Sequence, residues 1–190
     1  MAKVEEAKYE VVSAAGDFEI RSYEPMIVAE AVTEGDRKTA INEGFRLIAG
    51  YIFGNNDERS KVAMTAPVQQ QRRGPIAMTA PFAQQNTASG WSVHFVMPSD
   101  RTLATLPLPN DPRVTLKSLP ARQFAAIRFS GLARDAIIDE KTGELRRFAK
   151  QRKLDTRGEP LLGFYNPPWT LPFFRRNEVL LEIVQPSAAG

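Results

Sequence analysis

Two β-rich runs open the chain, at residues 9–14 and 18–33, and the Gly16-Asp17 pair between them predicts a hairpin turn. Pro25 falls inside the second run, and because proline cannot donate to a strand ladder the pattern predicts a bulge or an edge position there. From residue 36 to 53 the apolar spacing changes to a helical period, with Asp36 as N-cap and Gly54 as the residue that ends the helix. At 100° per residue, Ile41, Phe45, Ile48 and Ile52 fall within about 60° of one another and predict the face turned to the core. Ala40, Gly44, Leu47 and Tyr51 form a second apolar stripe displaced by roughly 90°. A helix laid on one sheet needs only the first stripe. The surplus stripe, with Gly44 and Gly50 lacking Cβ, therefore predicts room for another element, a partner or a flat apolar ligand.

The next segment repeats itself. Val62-Ala63-Met64-Thr65-Ala66-Pro67-Val68 returns as Ile76-Ala77-Met78-Thr79-Ala80-Pro81-Phe82, and two strands joined through Arg73-Gly74-Pro75 would make a hairpin. Residues 91–97 alternate, placing Trp91, Val93, Phe95 and Met97 on one face and Ser92, His94 and Val96 on the other. Pro98, Pro107, Pro109 and Pro112 punctuate a connection, after which the opening order recurs. Strands are expected at 113–119 and 123–130, a helix over about 133–152 burying Ile137, Ile138, Leu145, Phe148 and Ala149, and strands at 161–166 and 177–185. The expectation is one domain over 1–190 made of two pseudo-repeats, about 9–97 and 113–185, joined by the proline-rich 98–112. Its class is α+β: a distorted antiparallel β-barrel or curved sheet with two flanking helices and approximate two-fold symmetry.

Composition narrows the chemistry. The 190 residues carry a formal charge of +3, no cysteine and one histidine. Cysteine-ligated zinc, iron–sulfur clusters, haem thiolate ligation and thiol nucleophiles are excluded, and a serine triad would have to use His94. No stretch approaches 18 consecutive apolar residues and the N-terminus has no signal-type apolar run, so the expectation is a cytoplasmic protein without a membrane span. The basic pairs Arg72-Arg73, Arg146-Arg147 and Arg175-Arg176 read as solvated faces, and no nucleic-acid motif is present. Glu178 beside an arginine is the one acid–base candidate. Its spacing from Glu182 defines no dyad, and the chain is expected not to be an enzyme.

Several blocks carry a resemblance. The Ala-Met-Thr-Ala-Pro segments at 63–67 and 77–81, Gly54-Asn55-Asn56, Phe95-Val96-Met97-Pro98-Ser99, Leu106-Pro107-Leu108-Pro109, Arg128-Phe129-Ser130-Gly131, Tyr165-Asn166-Pro167-Pro168-Trp169 and Arg175-Arg176-Asn177-Glu178-Val179 resemble the SOUL haem-binding family, in that family's order, over roughly residues 9–184. The resemblance implies a pseudo-two-fold fold related to bacterial effector-binding domains. It also implies non-covalent, reversible binding of haem or another tetrapyrrole in an apolar cleft between the first helix and the loop before the last strand. Carried over by position, the helix supplies Arg46, Leu47, Gly50 and Tyr51, and the loop supplies Pro168, Trp169, Thr170 and Leu171, with Arg175 beside it. Where the family's helix and loop are basic, this chain has Ala49, Gly50 and Trp169 to Leu171. Arg46, Arg59, Lys61, Arg175 and Arg176 are the cations on offer for the two propionates. His94 could ligate iron but reads rather as a hydrogen-bonded or half-exposed strand residue, and Met64 and Met78 read as gap-fillers. The expected mode is apolar contact with the macrocycle, without a protein axial ligand and without metal-ligating residues. A non-haem apolar small molecule, as in effector-binding domains, is the alternative ligand.

Overall fold

The computed structural model describes residues 5–73, 90–167 and 169–184. In chain order the elements are β1 (Tyr9–Ala15), β2 (Phe18–Tyr23), β3 (Met26–Thr33), α1 (Arg37–Ile52), β4 (Val68–Arg72), β5 (Trp91–Val96), β6 (Val114–Leu119), β7 (Arg122–Phe129), α2 (Asp135–Gln151), β8 (Thr156–Phe164) and β9 (Asn177–Ile183). The strands form one antiparallel sheet of order β1-β2-β7-β9-β8-β4-β5-β3-β6. Its end strands β1 and β6 are not paired to each other, so the sheet is open rather than a closed barrel. Leaving out the edge strand β1, the order read from either end maps onto itself about the β4/β8 boundary, pairing β2β3α1β4β5 with β6β7α2β8β9. The first strand of each unit crosses over: β2 pairs with β7, and β6 with β3.

That crossover explains Pro25. Residues 18–33 are not one bulged strand: Glu24-Pro25 separates β2 from β3, and the two lie in opposite halves of the sheet. A proline, with no N–H to donate, suits the point where the chain leaves one ladder for another. The duplicated motif is corrected too. Residues 62–67 form no strand: Ala66 makes a single parallel bridge with Glu6, and regular pairing begins only at Val68. The second copy, at 76–82, lies outside the described residues.

Both helices cover one face. Val93, Gln70, Leu162 and Val179 are successive cross-strand partners and so point the same way; Val93 packs in the cluster under α1, and Leu162 and Val179 in the cluster under α2. The opposite face buries Tyr23, Val28, Val96, Phe124, Ala126, Leu161 and Leu180, capped by Ala7 from the segment that precedes β1. No helix among the described residues is long and apolar enough to cross a membrane.

The α1 boundaries follow from its ends. The Asp36 carboxylate accepts from the Lys38 and Thr39 backbone N–H groups at 2.9 and 3.0 Å, and Gly54, at φ +116°, takes the left-handed conformation that ends the helix. Its buried face differs from expectation. Ala40, Gly44, Leu47, Ile48, Tyr51 and Ile52 are buried, whereas Ile41 is half-buried and Phe45 is 40% exposed. The small residues of the supposed surplus stripe are what let α1 approach the sheet: a Cβ on Gly44 would stand 2.5 Å from Val93 Cγ2.

Candidate functional site

Turning Leu47 and Tyr51 inward leaves α1 with a different outward face. Phe45, Arg46 and Phe53 are exposed, Ala49 and Gly50 are half-exposed, and nothing lies within 4 Å of where a Cβ on Gly50 would sit. At 100° per residue these five positions span about 140°, an apolar strip with one cation in it. Phe45 is held at the strip's edge by its ring contact with Phe95 beneath, 5.4 Å between centroids.

The second surface is the loop between β8 and β9. Trp169 is 83% exposed, Phe173 65% and Phe174 69%, and Leu171 is also exposed. Their presentation is built in. Pro172–Phe174 forms a 3-10 turn, Phe174 N donates to Leu171 O at 2.9 Å, and Thr170 N donates to Pro167 O at 3.0 Å. Arg175 Nε donates to Thr170 O at 2.8 Å, tying the base of the loop. Gly131 N donates to Pro172 O, and Asn177 Nδ2 donates back to Gly131 O, so the loop is fastened to the connection between β7 and α2. That connection meets the start of α1, where Arg37 donates to Ala133 O at 2.8 Å and pairs with Asp135 at 2.5 Å. The loop and the N-terminal end of α1 therefore belong to one hydrogen-bonded frame.

The helix-free face buries two carboxylates, Glu178 and Glu30, each held in a polar cluster. Glu178 is fully buried: Arg21 donates to both its oxygens at 2.7 and 2.9 Å, Arg176 donates at 2.9 Å and Tyr165 Oη at 2.9 Å. Burial alone would raise its pKa, but Arg21 and Arg176 outweigh that and hold it below the ordinary carboxylate value. A carboxylate kept ionised with both oxygens occupied offers no proton and no free lone pair to a substrate. Burial pushes the Tyr165 hydroxyl up, so it stays a donor. In the other half His94 Nε2 meets Glu30 at 2.7 Å, and Lys117 pairs with the same carboxylate. The bond from His94, with Lys117 beside it, brings Glu30 down to about 2.

The sequence-expected site residues thus separate into groups. Arg46, Gly50, Trp169, Thr170 and Leu171 lie at or next to surface open to a ligand. Leu47 and Tyr51 do not: they are 8% and 1% exposed, and Tyr51 Oη donates to Pro107 O at 2.9 Å. Burial raises the Tyr51 hydroxyl to about 12. Pro168 lies outside the described residues. Arg175 serves the loop's own backbone, and Arg176 is taken by Glu178, Glu6 and the Tyr165 ring. His94 faces away from both helices. Phe45, Phe53, Phe173 and Phe174 were not expected as site residues. The adjacent phenylalanines after Pro172 were the visible signal, because a proline-rich loop has no core-facing period to bury them.

The chain is similar to known proteins in sequence and in fold. A family model described as SOUL heme-binding protein matches residues 4–182. Heme-binding protein 2 of Mus musculus is 43% identical over 54 residues, which is 28% of this chain and 26% of that protein, so the chain matches about a quarter of this relative's length. Among solved structures, the EcmrR C-terminal domain superposes with a TM-score of 0.64 at 9% identity, covering 94% of this chain and 99% of that one. A hydrolase from Listeria innocua gives 0.57 at 13% identity, covering 91% and 94%. At these identities the structural likeness establishes the fold alone.

Proposed function

Because the chain belongs to the SOUL haem-binding protein family, we propose that it binds haem or another tetrapyrrole reversibly, without catalysis, on the apolar surface formed by the outward face of α1 and the β8–β9 loop. The observation that carries the reading is the exposure of Trp169, Leu171, Phe173 and Phe174 on a loop whose backbone is fixed by its own hydrogen bonds. A loop backbone fixed before the ligand arrives lowers the ordering cost of presenting flat aromatic side chains to a flat macrocycle. Phe45, Ala49 and Phe53 offer further apolar area, Gly50 allows close approach, and Arg46 supplies a cation for a propionate. His94 is bound to Glu30 on the other face, so the grip is on the macrocycle and not on its metal. A non-haem apolar small molecule is the second reading, favoured by Arg46 being the single cation on that strip of α1.

Titration of the metal-free protein with ferric haem tests the proposal. A Soret shift and quenching of tryptophan emission at micromolar haem are expected, with at least tenfold weaker binding in Trp169→Ser and Phe45→Ser and no change in His94→Ala. No Soret change at these concentrations would overturn it. Thermal stabilisation by apolar drugs but not by porphyrins would favour the second reading.

A further inference from the structure

The β8–β9 loop has a property that a ligand cleft does not require: its largest apolar side chains lie open to solvent. A residue lining a closed pocket loses its exposure to the pocket walls, whereas Trp169 is 83% exposed and both phenylalanines are more than half exposed. Phe173 and Phe174 touch each other, ring centroids 4.5 Å apart, and Leu132 on the neighbouring β7–α2 connection is exposed beside the point where Gly131 holds Pro172. Five large apolar side chains therefore stand outward on two tethered segments.

Half of the tip's backbone N–H groups are satisfied within the loop itself. The N–H groups of Thr170, Phe174 and Arg175 are donated within the loop, and Pro172 has none while its carbonyl takes both Arg175 N and Gly131 N. The N–H groups of Trp169, Leu171 and Phe173 have no acceptor among the described residues, so the tip suits the hydrated interfacial layer of a bilayer rather than its hydrocarbon core. The charges flanking the tip agree. Arg128 and Arg134, on either side of Gly131 and Leu132, are exposed and make no ion pair among the described residues, while the nearby Asp135 is already paired with Arg37. The whole chain carries a formal charge of +3. Tryptophan, phenylalanine and leucine at a tip with arginines behind it match the two layers of an anionic membrane surface: acyl-chain boundary below, phosphate and carboxylate headgroups above.

We propose that this loop is a peripheral membrane anchor that inserts Trp169, Leu171, Phe173 and Phe174 into the interface of anionic bilayers while Arg128 and Arg134 engage the headgroups. The anchor goes beyond tetrapyrrole binding while drawing on the same loop side chains, and its test is therefore run without tetrapyrrole.

The test uses the full chain without tetrapyrrole and vesicles of phosphatidylcholine alone or with about one-third phosphatidylserine. The protein is expected to co-sediment with the phosphatidylserine vesicles, with a blue shift of tryptophan emission and quenching by brominated acyl chains that survives in Trp91→Phe, where Trp169 is the remaining tryptophan. Trp169→Ser/Phe173→Ser/Phe174→Ser should lose binding, and each of Arg128→Gln and Arg134→Gln should weaken it about fivefold. These positions are exposed, and circular dichroism verifies that the variants fold. Absence of co-sedimentation, or binding that the triple variant retains, would overturn the anchor. A haem titration in vesicle-free buffer reads the tetrapyrrole proposal separately, so the failure of one does not pass for failure of the other.

Discussion

Gly44 and Gly50 lie on the same helix, and alanine should move stability in opposite directions at the two. At Gly44 the new Cβ would stand 2.5 Å from Val93 Cγ2 and 2.6 Å from Val93 Cβ. Rotating Val93 relieves the first contact but not the second, because a Cβ is fixed by the β5 backbone. Val93 is fully buried, so α1 must lift by roughly 1 Å to restore ordinary carbon–carbon contact. Overpacking of this kind costs about 1–3 kcal/mol, and the upper part of that range applies where the obstacle cannot rotate away. Alanine's better helix propensity returns about 1 kcal/mol, leaving Gly44→Ala destabilised by about 2 kcal/mol. For a chain of this length that lowers Tm by about 4–8 °C. At Gly50 a Cβ meets nothing within 4 Å, so the propensity term stands alone and Gly50→Ala should gain about 0.5 kcal/mol, or about 1–2 °C. Thermal unfolding by circular dichroism, with both variants in one buffer, measures the difference. A Gly44→Ala protein as stable as the parent would mean that the Gly44 stripe is not packed on β5, and the outward assignment of Phe45 would fall with it.

Other perturbations read other parts of the molecule. Arg21→Met removes the bidentate partner of a fully buried Glu178 and should cost about 3 kcal/mol in urea unfolding, with part recovered in Arg21→Met/Glu178→Leu; a loss under 1 kcal/mol would show that Arg176 and Tyr165 suffice. Glu30 is depressed to about 2 in the folded chain, so its contribution is fully present above its ordinary pKa and is lost as pH falls through the folded value. That amounts to about 2–3 kcal/mol, and Glu30→Gln should flatten the acid limb of the stability profile between about pH 4.5 and 2. An unchanged limb would contradict the assignment. Tyr51→Phe deletes the hydrogen bond to Pro107 and should lower stability by about 1 kcal/mol while leaving haem affinity unchanged.

Much of the architecture was legible in local patterns because local physics decides it. Asp36 caps α1 through its carboxylate, and Gly16 and Gly54 sit at positive φ where the turn and helix end were expected. The alternation at 91–97 correctly separated Val93 and Phe95 from His94. What failed were inferences that needed partners far along the chain. No local signal shows that the run around Pro25 serves two halves of the sheet, since the partners β7 and β6 lie about a hundred residues on. The α1 face failed for a related reason. Leu47 and Tyr51 are as apolar as Ile41 and Phe45, and only the seating of Gly44 against Val93 decides which pair turns inward. Family position placed the loop residues at Pro168 to Leu171 and stopped short of Phe173 and Phe174, whose exposure depends on the turn at Pro172.

Chemical-shift mapping of the 15N-labelled protein with zinc protoporphyrin, a diamagnetic tetrapyrrole, tests the site most directly. Binding on the outward face of α1 and the loop predicts that the largest perturbations fall at Phe45, Arg46, Ala49, Gly50 and Phe53 and at Trp169, Thr170, Leu171, Phe173 and Phe174, with His94 and Glu30 unmoved. Perturbations centred on Glu30, His94 and Glu178, or none at saturating porphyrin, would contradict it.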